Sequence, residues 1–253
     1  MSEYFSEKRK LRKYAWFLAY LLAYILIFEF LIPPGRILPG PSLVLESFPS
    51  LQMHYGFLKN ALYTTSGIYL SMVLAYGLIW LFRVWVTGLL LRAKDFLESI
   101  RLFRYLTAIS FITIYIYWFP VSNLSEILFT FLLALGYLLN VISRDLGKVK
   151  RSYIEPFIAL KKEDSFLYKN IYWQSVKPSL FSSLQRLNIR LWSIVLFFEY
   201  VKAYMGIGNI YRLALSFNDI SGLVAISVLS GLIIALGEYV LKLLKRKVIT
   251  WEI

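Results

Sequence analysis

Long apolar stretches alternate with short basic segments along this chain, at about residues 14–33, 57–85, 102–120, 124–143, 180–203 and 221–244. A hydrocarbon core about 30 Å thick is crossed by roughly 20 apolar helical residues, so each stretch is long enough to span it. Lipid offers no water to backbone N–H and C=O groups, which leaves helices or a closed barrel. Barrel strands alternate apolar with polar residues, whereas these runs are continuous. The pattern therefore predicts an all-α integral membrane protein, a bundle of six transmembrane helices. No Gly/Ser-rich linker, low-complexity tract or repeat interrupts it, and one membrane domain over 1–253 is expected.

Two inter-span segments are distinctive. Residues 34–56 follow Pro33 and carry Pro34, Pro39, Pro41 and Pro49, which predicts a stiff, extended outer segment. Residues 144–178 are too polar for lipid and too apolar for a disordered linker. There Ile154, Phe157, Ile158 and Leu160, then Phe166, Leu167, Ile171 and Tyr172, recur at separations near three and four. That spacing predicts two short amphipathic helices lying along the membrane surface. Lys161-Lys162-Glu163-Asp164 would be the turn between them, with Asp164 or Ser165 the better caps and Glu163 a weaker one. Asn218-Asp219 offers cap oxygens to the last span. An interfacial helix pair that merely steadies the bundle is the plainer reading of the loop.

Composition sharpens this picture. The chain is 58% hydrophobic and 17% charged, with mean hydropathy +0.61. Soluble domains are about 45–50% apolar and about 25% charged, so the surplus apolar surface belongs in lipid. With no cysteine there is no disulfide, thiolate nucleophile or cysteine-ligated metal. His54 is the single histidine, too little for a histidine metal site or triad. No catalytic, metal-binding or cofactor-binding residue is assigned, and no cofactor is expected. Absence of a G-x-x-x-x-G-K-[ST] loop means that any nucleotide binds elsewhere.

The lysines and arginines set the orientation. With the N-terminus inside, Lys8, Arg9, Lys10, Arg12 and Lys13 are cytoplasmic, as are Arg83, Arg92, Lys94, Arg101 and Arg104, the basic residues of 144–178, and Lys242, Lys245, Arg246 and Lys247. Outside lie Arg36, Lys59, Lys202 and Arg212. This asymmetry satisfies the positive-inside rule. Both termini are basic, so an even number of spans in a plasma membrane is expected, with both termini cytoplasmic. The net charge of +13 is read as topology signal and attraction to anionic headgroups rather than nucleic-acid binding. Ile32-Pro33-Pro34-Gly35 lacks a small-residue cleavage site, and the first apolar run is expected to remain as a span.

Four motifs, in order, resemble the inner-membrane permeases of ABC importers, the taurine, sulfonate and nitrate type in particular. Leu38-Pro39-Gly40-Pro41-Ser42-Leu43-Val44 is similar to the family's L-P-x-P-x-x-V after the first span. Glu155-Pro156-Phe157-Ile158-Ala159-Leu160-Lys161 lies on its E-A-A-x-x-x-G loop, with Tyr168 near an aromatic position and Pro178 at its second proline. Leu184 and Arg190-Leu191-Trp192 follow, then Phe198-Glu199 and Gly206-Ile207-Gly208. The chain departs from the family at Pro156, Phe157 and Lys161, at Trp173-Gln174, and at Arg104-Tyr105-Leu106-Thr107, where a proline-rich start is usual. The resemblance covers about residues 38–250. It implies a cytoplasmic coupling-helix loop between spans four and five, in which Glu155, Phe157, Ala159, Leu160, Lys161, Phe166 and Pro178 meet the ATPase. Implied partners are a cytoplasmic ABC ATPase subunit, an extracellular solute-binding protein, and a second permease copy as homodimer or heterodimer.

Ionisable residues within spans are functional candidates by default. Glu29 and Glu238 lie near span ends, and Glu126 is expected at the interface. Arg186 and Arg190 share a helix face and, with Asn188, are candidates for a translocation path that favours anions; snorkelling to headgroups is the alternative. Glu199 is placed with that path, although a bond to the Gly206-Ile207-Gly208 turn or to a neighbouring helix suits it better than a solute. Tyr115, Tyr117, Trp118 and Phe119 read as an aromatic belt or a path lining. Ser66, Gly67, Ser71, Ala75, Ser227, Gly231 and Ala235 permit close helix packing, including a subunit seam. The competing readings are an integral-membrane enzyme, which the absence of paired carboxylates disfavours, and an ion-coupled secondary transporter, which usually has more spans or inverted repeats.

Overall fold

Helix is the conformation that lets an apolar chain satisfy its own backbone, and the computed structural model adopts it throughout, with no strand among the described residues. Those residues are 15–16, 18–20, 22–31, 39–93, 108–120, 122–150, 153–160 and 163–248. Among the described residues, three helices are long and apolar enough to cross a membrane: α3 (Phe57–Leu81), α6 (Asn123–Leu146) and α10 (Ile220–Val248). A fourth span is formed if α8 (Asp164–Lys202) and α9 (Ile207–Ser216), separated by a short break, count as one.

Several expected boundaries move. The second span stops at Phe82, and α4 (Arg83–Arg92) continues separately. Of the first expected span, the described residues are helical and end in the π-helical α1 (Leu26–Leu31). Of the third, α5 (Ala108–Trp118) is 11 residues long, short of a full crossing, and 102–107 lie outside the described residues. The short α7 (Glu155–Ala159) precedes α8.

The chain divides into two compact units, Met1–Leu58 with Ile210–Leu229, and Lys59–Asn209 with Ser230–Ile253. In the first unit the segment expected to be extended is instead largely helical, forming α2 (Pro41–Tyr55). The prolines permit this. Pro41 occupies the first helical turn, where a missing N–H removes no hydrogen bond. Only Pro49 lies inside the helix, and Val44, Ser47 and Leu51 bury one face. Gly56, at φ 59°, closes the helix in the left-handed conformation that glycine adopts without a Cβ penalty. Glu29 of α1 accepts the Ser42 N–H at 3.3 Å, placing a carboxylate at the positive end of α2. Asp219 caps α10 as expected, its Oδ1 accepting the Gly222 N–H at 2.8 Å. Its Oδ2 accepts from the Tyr55 hydroxyl at 3.2 Å. Burial and then the Asp219 charge push the Tyr55 phenol above its usual range.

In the second unit an aromatic core forms where α5, α6 and α8 meet. Phe129 and Phe198 stack with centroids 4.6 Å apart, and Ile112 completes the buried cluster. Tyr115 packs on Phe129 at 4.9 Å and donates to the Ser125 carbonyl at 2.8 Å. The expected aromatic belt is thus divided: Tyr115 joins the core, while Tyr117 and Trp118 point outward. Small residues act as the sequence suggests on α3, where Gly67, Ser71 and Ala75 are buried and the Ser71 hydroxyl reaches the Ile127 carbonyl at 3.0 Å. On α10, Ser227, Gly231 and Ala235 are exposed.

Near mid-span, Tyr69 of α3 lies against the bare backbone of Gly237 on α10. A methyl group there would sit 1.6 Å from the tyrosine oxygen. Gly237→Ala should therefore destabilise the unit by about 1–3 kcal/mol, the usual cost of overpacking, and Tyr69→Phe should restore part of the loss. Thermal unfolding of the single and double variants in detergent measures this; additive effects would show that the two side chains do not meet.

Candidate functional site

Two places on α8, at opposite ends, concentrate the chemistry of this chain. At its start, α7 and the first turns of α8 form a helical hairpin. Glu163 is the N-cap residue of α8, with φ −61° and ψ 149°, but its side chain makes no capping hydrogen bond. The expectation of Asp164 or Ser165 as cap is corrected: both lie within the first turn, and Ser165 Oγ instead donates to Glu163 Oε2 at 3.3 Å. The second amphipathic helix is also not separate. It runs through a π-helical turn at Tyr168–Tyr172 into the long helix.

Apolar side chains hold the hairpin. The Phe157 and Phe166 rings approach to 6.0 Å, and Leu167 and Trp173 are buried. Tyr168 lies over Gly88 of α4, where a Cβ would stand 3.1 Å from its ring. Behind the hairpin, Asp145 at the end of α6 accepts from Lys148 at 2.8 Å, from Arg144 at 3.3 Å and from Ser179 of α8. Glu155 and Ala159 are exposed and Pro178 is half-buried within α8. Leu160 is 67% and Phe166 38% exposed, so apolar surface remains open at the tip. Lys161 lies outside the described residues.

At the far end of α8 lies a buried ionic cluster. The Lys202 ammonium contacts Glu126 Oε2 at 3.1 Å and donates to the Ser122 carbonyl at 2.8 Å. Tyr63 of α3 also reaches Glu126 Oε2, at 3.1 Å. Glu126 lies in the first turn of α6, and its side chain and that of Lys202 are 2% and 1% exposed. An isolated charge at such depth is prohibitive, and only the pairing makes it tolerable.

Glu199, fully buried, joins this cluster to the break between α8 and α9. Its Oε1 accepts from Thr64 at 2.6 Å and its Oε2 from the Gly208 N–H at 2.8 Å. Thr64 Oγ1 in turn accepts the Ile207 N–H at 2.9 Å, and Asn60 accepts the Gly206 N–H at 2.8 Å. The first amides of α9, which no intrahelical carbonyl can satisfy, are thus held by side chains. Both glycines of the Gly206-Ile207-Gly208 turn are sterically required. Gly206 has φ 101°, and a Cβ there would lie 2.1 Å from the Glu199 carboxyl. A Cβ at Gly208 would lie 2.0 Å from the Leu196 carbonyl oxygen.

The path candidates are not gathered in one place. Arg186 and Arg190 are exposed on one face of α8, Arg186 donating to Ser183 at 2.8 Å and Arg190 lying 5.1 Å from the Tyr137 ring centroid. Asn188 is fully buried on the opposite side. Sequence reasoning missed Glu126, Lys202, Asn60, Tyr63 and Thr64 as a set, and it anticipated no paired carboxylates. The available signal was Glu199 and Lys202, three apart on one helix face in an apolar stretch. Compared with known protein families, curated proteins and solved structures, the chain matches none.

The arrangement is a clamp that fixes α3, α6, α8 and the start of α9. Lys202→Met should cost about 3–5 kcal/mol, because it strands a buried carboxylate, and adding Glu126→Gln should recover most of it. Calorimetry of detergent-solubilised protein reads both values, and an unchanged midpoint for Lys202→Met would count against the pair.

Proposed function

We propose that this chain is the permease subunit of an ABC importer, forming the solute path and drawing its energy from a separate cytoplasmic ATPase. The observation that carries the reading is the hairpin of α7 and early α8. It is a folded segment between two long helices, braced by Asp145 and by Tyr168 on Gly88, with Leu160 and Phe166 partly open. Such a segment suits a groove on an ATPase. Apolar tip residues supply burial there, about 1.5–3 kcal/mol for each side chain fully covered, and the surrounding charges set register. Because α8 is continuous from Asp164 to Lys202, a push at the hairpin travels along one helix.

In this proposal the bundle has six spans with both termini and the hairpin in the cytoplasm, as the basic segments suggest. Arg186 and Arg190, exposed on one face of α8, line the path of the assembled transporter and favour a small anion such as a sulfonate, taurine or nitrate. An extracellular binding protein delivers the solute, and a second permease copy, identical or related, completes the path.

An ion-coupled secondary transporter is the second reading, and one observation favours it: the buried Glu126, Glu199 and Lys202 cluster is of a kind found on ion pathways. Uptake by proteoliposomes separates the two. The importer reading expects transport that needs the ATPase and ATP, and loss of at least tenfold on Leu160→Asp or Phe166→Asp with the protein still folded. ATP-independent uptake driven by a pH gradient by the chain alone would replace it with the second reading.

A further inference from the structure

Buried polar side chains are ordinarily hydrogen-bonded, yet three that share one level of the second unit are not. Asn188 and Trp192 of α8 are both 0% exposed. Among the described residues, neither the Asn188 carboxamide nor the Trp192 indole N–H has a hydrogen-bond partner. The hydroxyl oxygen of Tyr69 on α3 is likewise buried and unpartnered. In an apolar bundle each such atom carries an uncompensated cost of desolvation.

Helix geometry brings the three together. Asn188 and Trp192, four residues apart, share a face of α8. Phe181 and Glu199, seven residues before and eleven after Asn188, return to that same face, and both touch α3. The Phe181 ring lies 5.5 Å from the Tyr76 ring, and Glu199 accepts from Thr64. These two contacts make α3 and α8 antiparallel. Tyr69, seven residues before Tyr76, therefore falls opposite Asn188, seven residues after Phe181. From there the Tyr69 oxygen reaches the bare backbone of Gly237 on α10.

We propose that Tyr69, Asn188 and Trp192 form a binding site for a small uncharged molecule with a carbonyl acceptor beside an N–H donor, the chemistry of a primary amide. The indole N–H only donates, the carboxamide donates and accepts, and the phenol does either. A ligand oxygen that accepts from Trp192 and Asn188, while its own N–H donates to the Asn188 carbonyl, satisfies the orphaned atoms. None of the three side chains carries a charge. Arg186 and Arg190, two positions to either side of Asn188, lie on the exposed face of α8. An ion entering this site would lose its water and gain no counter-charge, so the site discriminates against it. The site is separate from the arginine face and does not depend on whether the chain is a transporter.

Nuclear magnetic resonance of the full chain in lipid nanodiscs, isotope-labelled at the tryptophan indole nitrogens, tests this. The resonance lost in Trp192→Phe is that of Trp192. The probe is acetamide, with acetate as its charged counterpart of similar size. Acetamide should shift the Trp192 resonance saturably and leave the other indoles in place, while acetate at the same concentrations should not. Asn188→Leu keeps the shape of the side chain and removes its polar atoms. It should raise the half-saturating acetamide concentration at least tenfold, and Tyr69→Phe should raise it several-fold. A shift that does not saturate, an equal response to acetate, or an unchanged half-saturation in Asn188→Leu would each overturn the proposal. So would a cross-peak between the Trp192 indole and water that acetamide does not displace, since the occupant is then a resident water. If Asn188→Leu does not fold, Tyr69→Phe and the acetamide–acetate comparison on the native chain decide.

Discussion

Burying an ammonium and two carboxyl groups in an apolar bundle imposes the strongest condition on this fold. Each charge must find its partner before the helices can close around it, because the low-dielectric interior offers no substitute for water. The partners come from separate elements: Tyr63 and Thr64 from α3, Glu126 from α6, Glu199 and Lys202 from α8, and the Gly208 amide from α9. Satisfying this one cluster therefore fixes four elements relative to one another within a unit. The aromatic stack of Phe129 and Phe198 lies beside it on the same two helices and shields it, with Lys202 also 5.6 Å from the Phe198 ring.

The long helix α8 connects this cluster to the hairpin. Its first turns carry Phe166 and Tyr168, and its last turn carries Glu199 and Lys202. A continuous helix transmits displacement along its axis better than a loop does. Its π-helical turn at Tyr168–Tyr172 lies where the hairpin meets α4, at the kind of position where such turns often mark functional sites. Whatever acts on the hairpin thus acts, through one element, on the residues that hold the helix break. The exposed arginines, Arg186 and Arg190, lie between these two ends.

Reading the sequence against the fold shows where local patterns suffice. Hydropathy located α3, α6 and α10 with small boundary errors, because a long apolar run in lipid has only one satisfactory backbone. Asp219 was legible as a cap, since its oxygen needs only the amide three residues on. The spacing around Phe157 and Phe166 predicted two short helices; their rings approach, but the second helix runs on into the long α8. Proline content misled over residues 34–56: a count of prolines cannot tell that Pro41 falls in a first helical turn, where it is welcome. The pairing of Glu126 was illegible for a different reason: its burial depends on a lysine 76 residues away.

The sequence by itself determined the helical class, the long apolar runs and the capping role of Asp219, all of which rest on composition or on neighbours along the chain. Tertiary structure decided which polar groups share a site. It put Asn188 on the opposite side of α8 from Arg186 and Arg190, and it brought Glu126 to Lys202. The physical reason is range. Hydropathy and backbone sterics act within a few residues, whereas a buried charge is stabilised by whichever partner the folded helices bring within about 3 Å, however distant that partner is in sequence.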